Sequence, residues 1–388
     1  MVRRLGSMVV HMVACSSMLY GGVACGEEAI KVGVVVSVTG PGASLGIPMK
    51  NTIPLLPKEI GGKKVKYVFL DDASDVTTAV KDAHKLISEE KVDVLIGSCL
   101  TPNVLAMTDP AAEAETPLIG LGASVRIVDP MDAKKAWVFK VPPNDTLMAG
   151  AVVHDMVAHK VKTVGQININ DSYGQSWRDE AFKLMAKNNI KVVANESYAA
   201  EDNSVTAQIL KIVAAKPDAV LISSRGTMAV LPVKALKERG YKGRIYQAHG
   251  VANNDFLRVG GKDLNGEVVP VGPVLVGKQL PDNSPVKKQA MEYVKAYEGM
   301  YGPDSTTTFG AHVWDAVLIL QQAIPQALKG GQPGTKAFRK ALRDSIEKTR
   351  NLPTSAGVFT FSKTDHAGLD DRARVLVEIQ NGKWKLLK

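Results

Sequence analysis

The run VGVVVSVTGPGASLG, residues 32–46, passes from a nearly continuous β-branched stretch through a turn rich in glycine and proline into a segment that opens a helix. An unbroken apolar run of this kind marks a strand covered on both faces, the setting of a parallel sheet. The same unit recurs along the chain. Residues 30–36, 65–70, 92–96 and 117–119 read as strands, with helical spacing over 79–88 and 104–114 between them. A second series of strands falls at 163–169, 191–195, 219–222, 244–247 and 268–271, alternating with helices over 147–159, 175–188, 205–214 and 229–239. Alternation in two blocks predicts an α/β protein of two doubly wound, Rossmann-like lobes.

The C-terminal quarter differs. Helical segments at 285–301, 306–328 and 335–348 precede strands at 357–361 and 374–379, too little for a third core. At 388 residues the chain exceeds one ordinary compact core, so two domains are expected and these last elements complete them. The chain then crosses between lobes near 141–146, near 272–280 and after about residue 350. The expected division is a signal peptide over 1–26, a first lobe of 27–143 plus 277–350, and a second of 144–276 plus 351–388.

The first residues read as an export signal. Arg3 and Arg4 precede a mostly apolar stretch from Met8 to Tyr20, and Ala24-Cys25-Gly26 supplies a small-x-small cleavage site before Glu27. That stretch is too short for a permanent membrane span. A lipid anchor on Cys25 or Cys15 stays open, although neither follows the usual leucine; a twin-arginine signal fits the following Leu-Gly-Ser poorly. Removing 1–26 takes away two of the 48 basic residues and none of the 39 acidic ones, so the formal charge falls from +9 to +7. Such a surplus suits an acidic small molecule or simple solubility, and the scattered lysines speak against nucleic acid. Only Cys99 remains, which excludes an internal disulfide and a cysteine-based zinc site and marks a small buried apolar residue.

Gly40, Gly42 and Gly46 give G-x-G-x-x-x-G, a near miss of the dinucleotide fingerprint, with Pro41 and Pro48 in and beside the turn. Asp71 and Asp72 would be its ribose-binding acids, but they read more simply as a strand end, and Asp75 as a helix cap. His154 and His159 are five apart and share no helical face, so no metal is expected. No G-x-S-x-G, H-E-x-x-H or cysteine–histidine signature appears. Neither an enzyme nor a cofactor is therefore expected.

Open α/β sheets bind ligands at strand C-termini. Two such ends, 96–102 (IGSCLTP) and 119–124 (IGLGAS), place hydroxyls and helix N–H groups side by side, a setting for a carboxylate. Singly, Thr101 and Ser124 read as helix caps; together they favour a site. VTGPGASLG (38–46), GGKKVKYVFLDDASDVTTAV (61–80), HKLISEEKVDVLIGS (84–98), PLIGLGAS (117–124), NDSYG (170–174), residues 250–257 and Trp314-Asp315-Ala316 occur in the order of the leucine/isoleucine/valine-binding family of periplasmic receptors, which the chain resembles over 28–385. The resemblance implies a type I periplasmic binding fold, two lobes joined by a three-strand hinge and closing on ligand. It implies further that Thr101, with Gly122, Ala123 and Ser124, holds the ligand carboxylate. Tyr173 reaches in from the second lobe, Phe309 adds an aromatic wall, and Leu45 lines the side-chain pocket.

Two departures redirect the ligand. Where amino-acid binders of that family carry an acid for the ligand ammonium, this chain has His249, and a cleft position often aromatic is Arg225. Plainer readings are a turn histidine and a surface ion pair. A buried ammonium without an acidic partner is costly, whereas Arg225 favours an anion. The expected function is an extracytoplasmic, periplasmic receptor of an ABC importer, a monomer handing a small organic acid, aromatic or 2-oxo, to a membrane permease. The alternatives are an amino-acid receptor, a ligand-sensing regulatory receptor on the same fold, and a secreted dehydrogenase, which the broken glycine pattern disfavours.

Overall fold

The computed structural model describes residues 29–387, so the expected leader and Cys15 and Cys25 lie outside the described residues. Within them, β1 (Ile30–Val36), β2 (Glu59–Ile60), β3 (Lys63–Asp71), β4 (Val94–Gly97), β5 (Leu118–Gly120) and β6 (Val138–Lys140) form one sheet in the order β2-β3-β1-β4-β5-β6. Every pairing in it is parallel except the β2–β3 hairpin. Helices α1 (Ala43–Thr52), α2 (Val76–Ser88) and α3 (Thr101–Glu113) follow β1, β3 and β4. Asp75 caps α2 by accepting from the Thr78 N–H at 2.7 Å, as its position at the strand exit predicts. The Asp72 carboxylate binds the hydroxyls of Ser37 and Ser98 and the Asn103 amide, tying the ends of β1, β3 and β4 together. Asp72 is thus a structural clasp at a strand end.

The second lobe begins with α4 (Asp145–Ala158) and continues through β7 (Thr163–Ile169), α5 (Ser172–Lys187), β8 (Lys191–Tyr198), α6 (Thr206–Ala214), β9 (Ala219–Ser223), α7 (Val230–Glu238), β10 (Arg244–Gln247), α8 (Asn254–Gly260) and β11 (Val268–Val271). Three helices follow, α9 (Lys287–Tyr301), α10 (Thr308–Ala327) and α11 (Lys336–Glu347), then the two-residue strands β12 (Leu352–Pro353) and β13 (Val358–Phe359), and finally β14 (Val375–Gln380) and β15 (Lys383–Leu386). The second sheet runs β15-β14-β11-β10-β9-β7-β8, its last two strands joining antiparallel at one edge. The α/β architecture of two lobes is as expected. The lobes also share a local device: a Cβ on Gly46 would lie 2.0 Å from the Ser37 carbonyl oxygen, and one on Gly174 the same distance from that of Ile169. Only glycine lets α1 and α5 start so close to the strands before them.

Two lobe boundaries differ from those expected. Leu280, Val286, Ala290, Tyr293, Val294 and Tyr297, assigned above to the first lobe, pack into the second core. Helix α9 still reaches the first lobe, through a 2.9 Å hydrogen bond between the Tyr293 and Thr52 hydroxyls and a 2.8 Å bond from the Tyr301 hydroxyl to the Asn51 carbonyl. The end of the chain differs more. Phe359 and Phe361, expected in the second lobe, belong to the first core, Phe361 meeting Phe139 edge-on with ring centroids 5.3 Å apart. β12 and β13 pair only with each other, so the aromatic side chains help set where this segment packs. The last crossing therefore falls near Ala373, not directly after residue 350.

Phe361 is fully buried. Phe361→Ala should destabilise the protein by about 3–5 kcal/mol in urea unfolding; a loss below about 1 kcal/mol would detach this segment from the first core.

Candidate functional site

The C-terminal ends of both sheets face each other across the crossing strands. Between them lies a narrow cavity. Leu45, Cys99, Thr101, Leu121, Ala123 and Pro142 line one side, Tyr173, Arg225, His249 and Gly250 the other, and Phe309 and His312 of α10 stand at its back. A roomier depression sits elsewhere, between α8, α9 and the β14–β15 turn, among ordinary surface ion pairs such as Lys278–Glu298 at 2.7 Å. Of these two, the cleft cavity draws on strand ends of both lobes.

Seven of the nine residues singled out from the sequence line this cavity. Gly122 and Ser124 do not. Gly122 backs onto α3, where an added Cβ would meet the Thr101 Cα at 3.1 Å. The Ser124 hydroxyl donates to the Ser176 hydroxyl at 2.6 Å and accepts from the Arg126 N–H at 3.1 Å. That corrects its expected part in holding a carboxylate: its hydroxyl is engaged in a latch between the lobes. The same latch contains the Ser176 hydroxyl on Asp145, the Val125 N–H on Asp145 at 3.0 Å, and the Arg126 guanidinium on Asp179 at 2.6 Å. Cys99, Leu121, Pro142, Gly250 and His312 were not foreseen as lining residues. His312 had a findable signal, since it lies three residues after Phe309 on the same helical face.

The polar wall is rich in donors. Thr101 is 2% exposed and its Oγ1 has no protein partner. It opens α3, whose N-terminus has no side-chain cap, so the dipole and free N–H groups there face an anion favourably. The Arg225 guanidinium is buried, donates through Nη1 to Asp171, and leaves Nε unpartnered. Asp171 in turn caps α5, accepting from the N–H groups of Tyr173 (2.9 Å) and Gly174 (3.0 Å). Arg225 is thus neither a free cation nor a surface ion pair, but a cavity wall with part of its charge already met. The Tyr173 hydroxyl accepts from the Gly250 N–H at 3.0 Å and keeps its own proton, its pKa pushed far up by burial. Burial also pushes His249 and His312 down to about 3, so both imidazoles are neutral at ordinary pH. Among the described residues no aspartate or glutamate lines the cavity.

Beside the cavity, at the first crossing, Lys140 is wholly buried and donates to the Pro142 carbonyl and, at 2.8 Å, to the Asn144 side-chain oxygen. Burial lowers Lys140 to about 7 and raises Asp145; desolvation outweighs the attraction between them.

The periplasmic binding protein family model matches residues 29–383. An extracellular ligand-binding receptor from Rhodopseudomonas palustris HaA2 is 46% identical, with a TM-score of 0.90, 93% of this chain and all of that chain being covered. The Leu/Ile/Val-binding protein BraC3 of Rhizobium johnstonii is 23% identical over 86% of this chain and 88% of its own. A solute-binding protein of an R. palustris ABC transporter, solved in complex with benzoate, shares the fold at 22% identity and a TM-score of 0.78, over 93% of this chain and 96% of that one.

Lys140 generates a pH dependence. Its folded pKa lies below its unfolded value, so between about pH 7 and 10.5 the unfolded chain binds more protons and stability rises with pH. Relative to Lys140→Met, the parent should gain stability over that window in urea unfolding at stepped pH and show no such gain below pH 7. A difference that stays flat across the window would contradict the buried-charge account.

Proposed function

The chain belongs to the periplasmic binding protein family, and from that premise we propose that it is an exported receptor capturing a small carboxylate without an α-ammonium group. In this reading the acid sits in the interlobe cavity, the lobes close on it, and the monomeric complex hands it to the membrane permease of an ABC-type importer from the periplasm. The protein acts as a receptor and not as an enzyme.

One observation carries the choice of ligand: the cavity wall presents donors from Thr101, Arg225, Tyr173 and the start of α3 and no carboxylate. An ammonium enclosed there would lose its hydration with no anion to replace it, at a cost of several kcal/mol. A carboxylate meets N–H and O–H groups already in place. Tyr173 and Phe309 supply rings for an aromatic or 2-oxo acid, and benzoate in a protein of the same fold supports that size and class. Among the described residues no helix is long and apolar enough to cross a membrane, and the basic N-terminal stretch supports export. A second reading, an amino-acid receptor, is favoured by the Leu/Ile/Val-binding relative.

A thermal-shift panel of leucine, phenylpyruvate, benzoylformate and p-coumarate separates the two: at least one of the acids should stabilise the protein and leucine should not. Stabilisation by leucine alone would overturn the organic-acid reading. Arg225→Ala should weaken binding of the stabilising acid by about ten-fold or more in calorimetry, the scale of a lost charge-assisted hydrogen bond; unchanged affinity would remove Arg225 from the site.

A further inference from the structure

Behind the cavity wall stands a residue that touches no part of the cavity. Trp177 lies in the second turn of α5, one turn after Tyr173, and is fully buried. Its indole N–H meets the His249 Nδ1 at 3.0 Å. The His249 Nε2, at the other edge of the ring, is buried and has no protein partner, while the ring itself lines the cavity. Tyr173 packs edge-on against the same imidazole, with centroids 6.0 Å apart. The ring is therefore held from two sides.

An indole N–H can only donate. The Nδ1 that receives it must carry a lone pair, which excludes the imidazolium and the Nδ1–H tautomer together. The single ring proton is then on Nε2, the nitrogen left without a protein partner. His312, on the same wall, leaves its Nδ1 unpartnered, so the polarity set from behind is that of His249. Resting on the organic-acid reading above, we propose that Trp177 is a positioning residue that fixes His249 as a hydrogen-bond donor, and that the site selects acids carrying a second acceptor oxygen besides the carboxylate. A buried donor left without an acceptor costs more than the bond itself contributes, so acids lacking that oxygen are discriminated against. The same fixed N–H opposes an ammonium, itself only a donor.

Two measurements test this. Long-range 15N–1H correlation spectra of the ligand-free protein between pH 6 and 8 should show His249 protonated at Nε2 and bare at Nδ1. In Trp177→Phe, which keeps the ring packing and removes the donor, the His249 signals should move toward a mixture of tautomers. Calorimetry with phenylpyruvate and 3-phenylpropionate, which differ only in the 2-oxo group, should favour phenylpyruvate by about ten-fold in the parent, the scale of one buried hydrogen bond. In Trp177→Phe that ratio should fall to about three or less, with the affinity for 3-phenylpropionate nearly unchanged. A His249 protonated at Nδ1 in the parent overturns the lock whether or not the variant folds. Equal affinities in the parent overturn the selection while leaving the organic-acid reading standing. Binding of leucine with neither acid bound overturns that reading and the selection with it, and the spectra still judge the lock.

Discussion

A parallel strand buried on both faces must be covered by helices on both sides, and the connections that do this emerge from the strand C-termini. Everything at the cleft follows from that constraint applied twice. Each sheet gathers its strand exits along one edge, where turns and helix starts leave N–H groups, hydroxyls and short loops. The chain then crosses between the sheets so that the two edges confront one another. Thr101 is placed by the exit of β4, Ala123 by that of β5, Tyr173 by that of β7, Arg225 by that of β9 and His249 by that of β10. No one of these residues makes a site alone. Their convergence is a property of topology.

The enclosed surface is polar in an unbalanced way. Thr101 Oγ1, Arg225 Nε and His249 Nε2 are buried with no protein partner, and each such group costs about 1–3 kcal/mol when left unsatisfied. Nearby polar groups are satisfied fully: Ser124 by Ser176, Asp72 by two serines and an asparagine, Asp171 by Arg225 and the α5 backbone. Several unmet polar groups thus stand at the cavity wall, beside a latch across the lobes whose hydroxyls are partnered. Asp145 of the latch lies next to Asn144, which holds Lys140 at the crossing.

Much of the frame was legible in the sequence because buried strands announce themselves. The bounds of β1, β7, β10 and β11 coincide with apolar runs read directly. Strands β2, β6, β12 and β15 escaped, the first three for having only two or three residues, the last because Lys383-Trp-Lys-Leu386 alternates charged with apolar side chains at an open edge. Residues 351–373 divide differently from the expected second lobe because Phe359 and Phe361 pack in the first core while Val358 packs in the second, a split only tertiary packing decides. For the site, strand exits and the family resemblance brought seven residues to the cavity. The sequence could not show that Ser124 would be taken by Ser176, 52 residues away, or Arg225 by Asp171, 54 away. Nor could it show the orientation of His249, which depends on Trp177 at a distance of 72 residues.

The central claim is that the cleft takes a carboxylic acid in preference to an amino acid. Competition followed by native mass spectrometry tests it most directly: the protein is incubated with an equimolar mixture of leucine, phenylpyruvate, benzoylformate and p-coumarate, and the mass of the retained adduct is read. The account predicts one bound organic acid per chain and no leucine adduct. A leucine adduct that persists while the acids are washed away would contradict it.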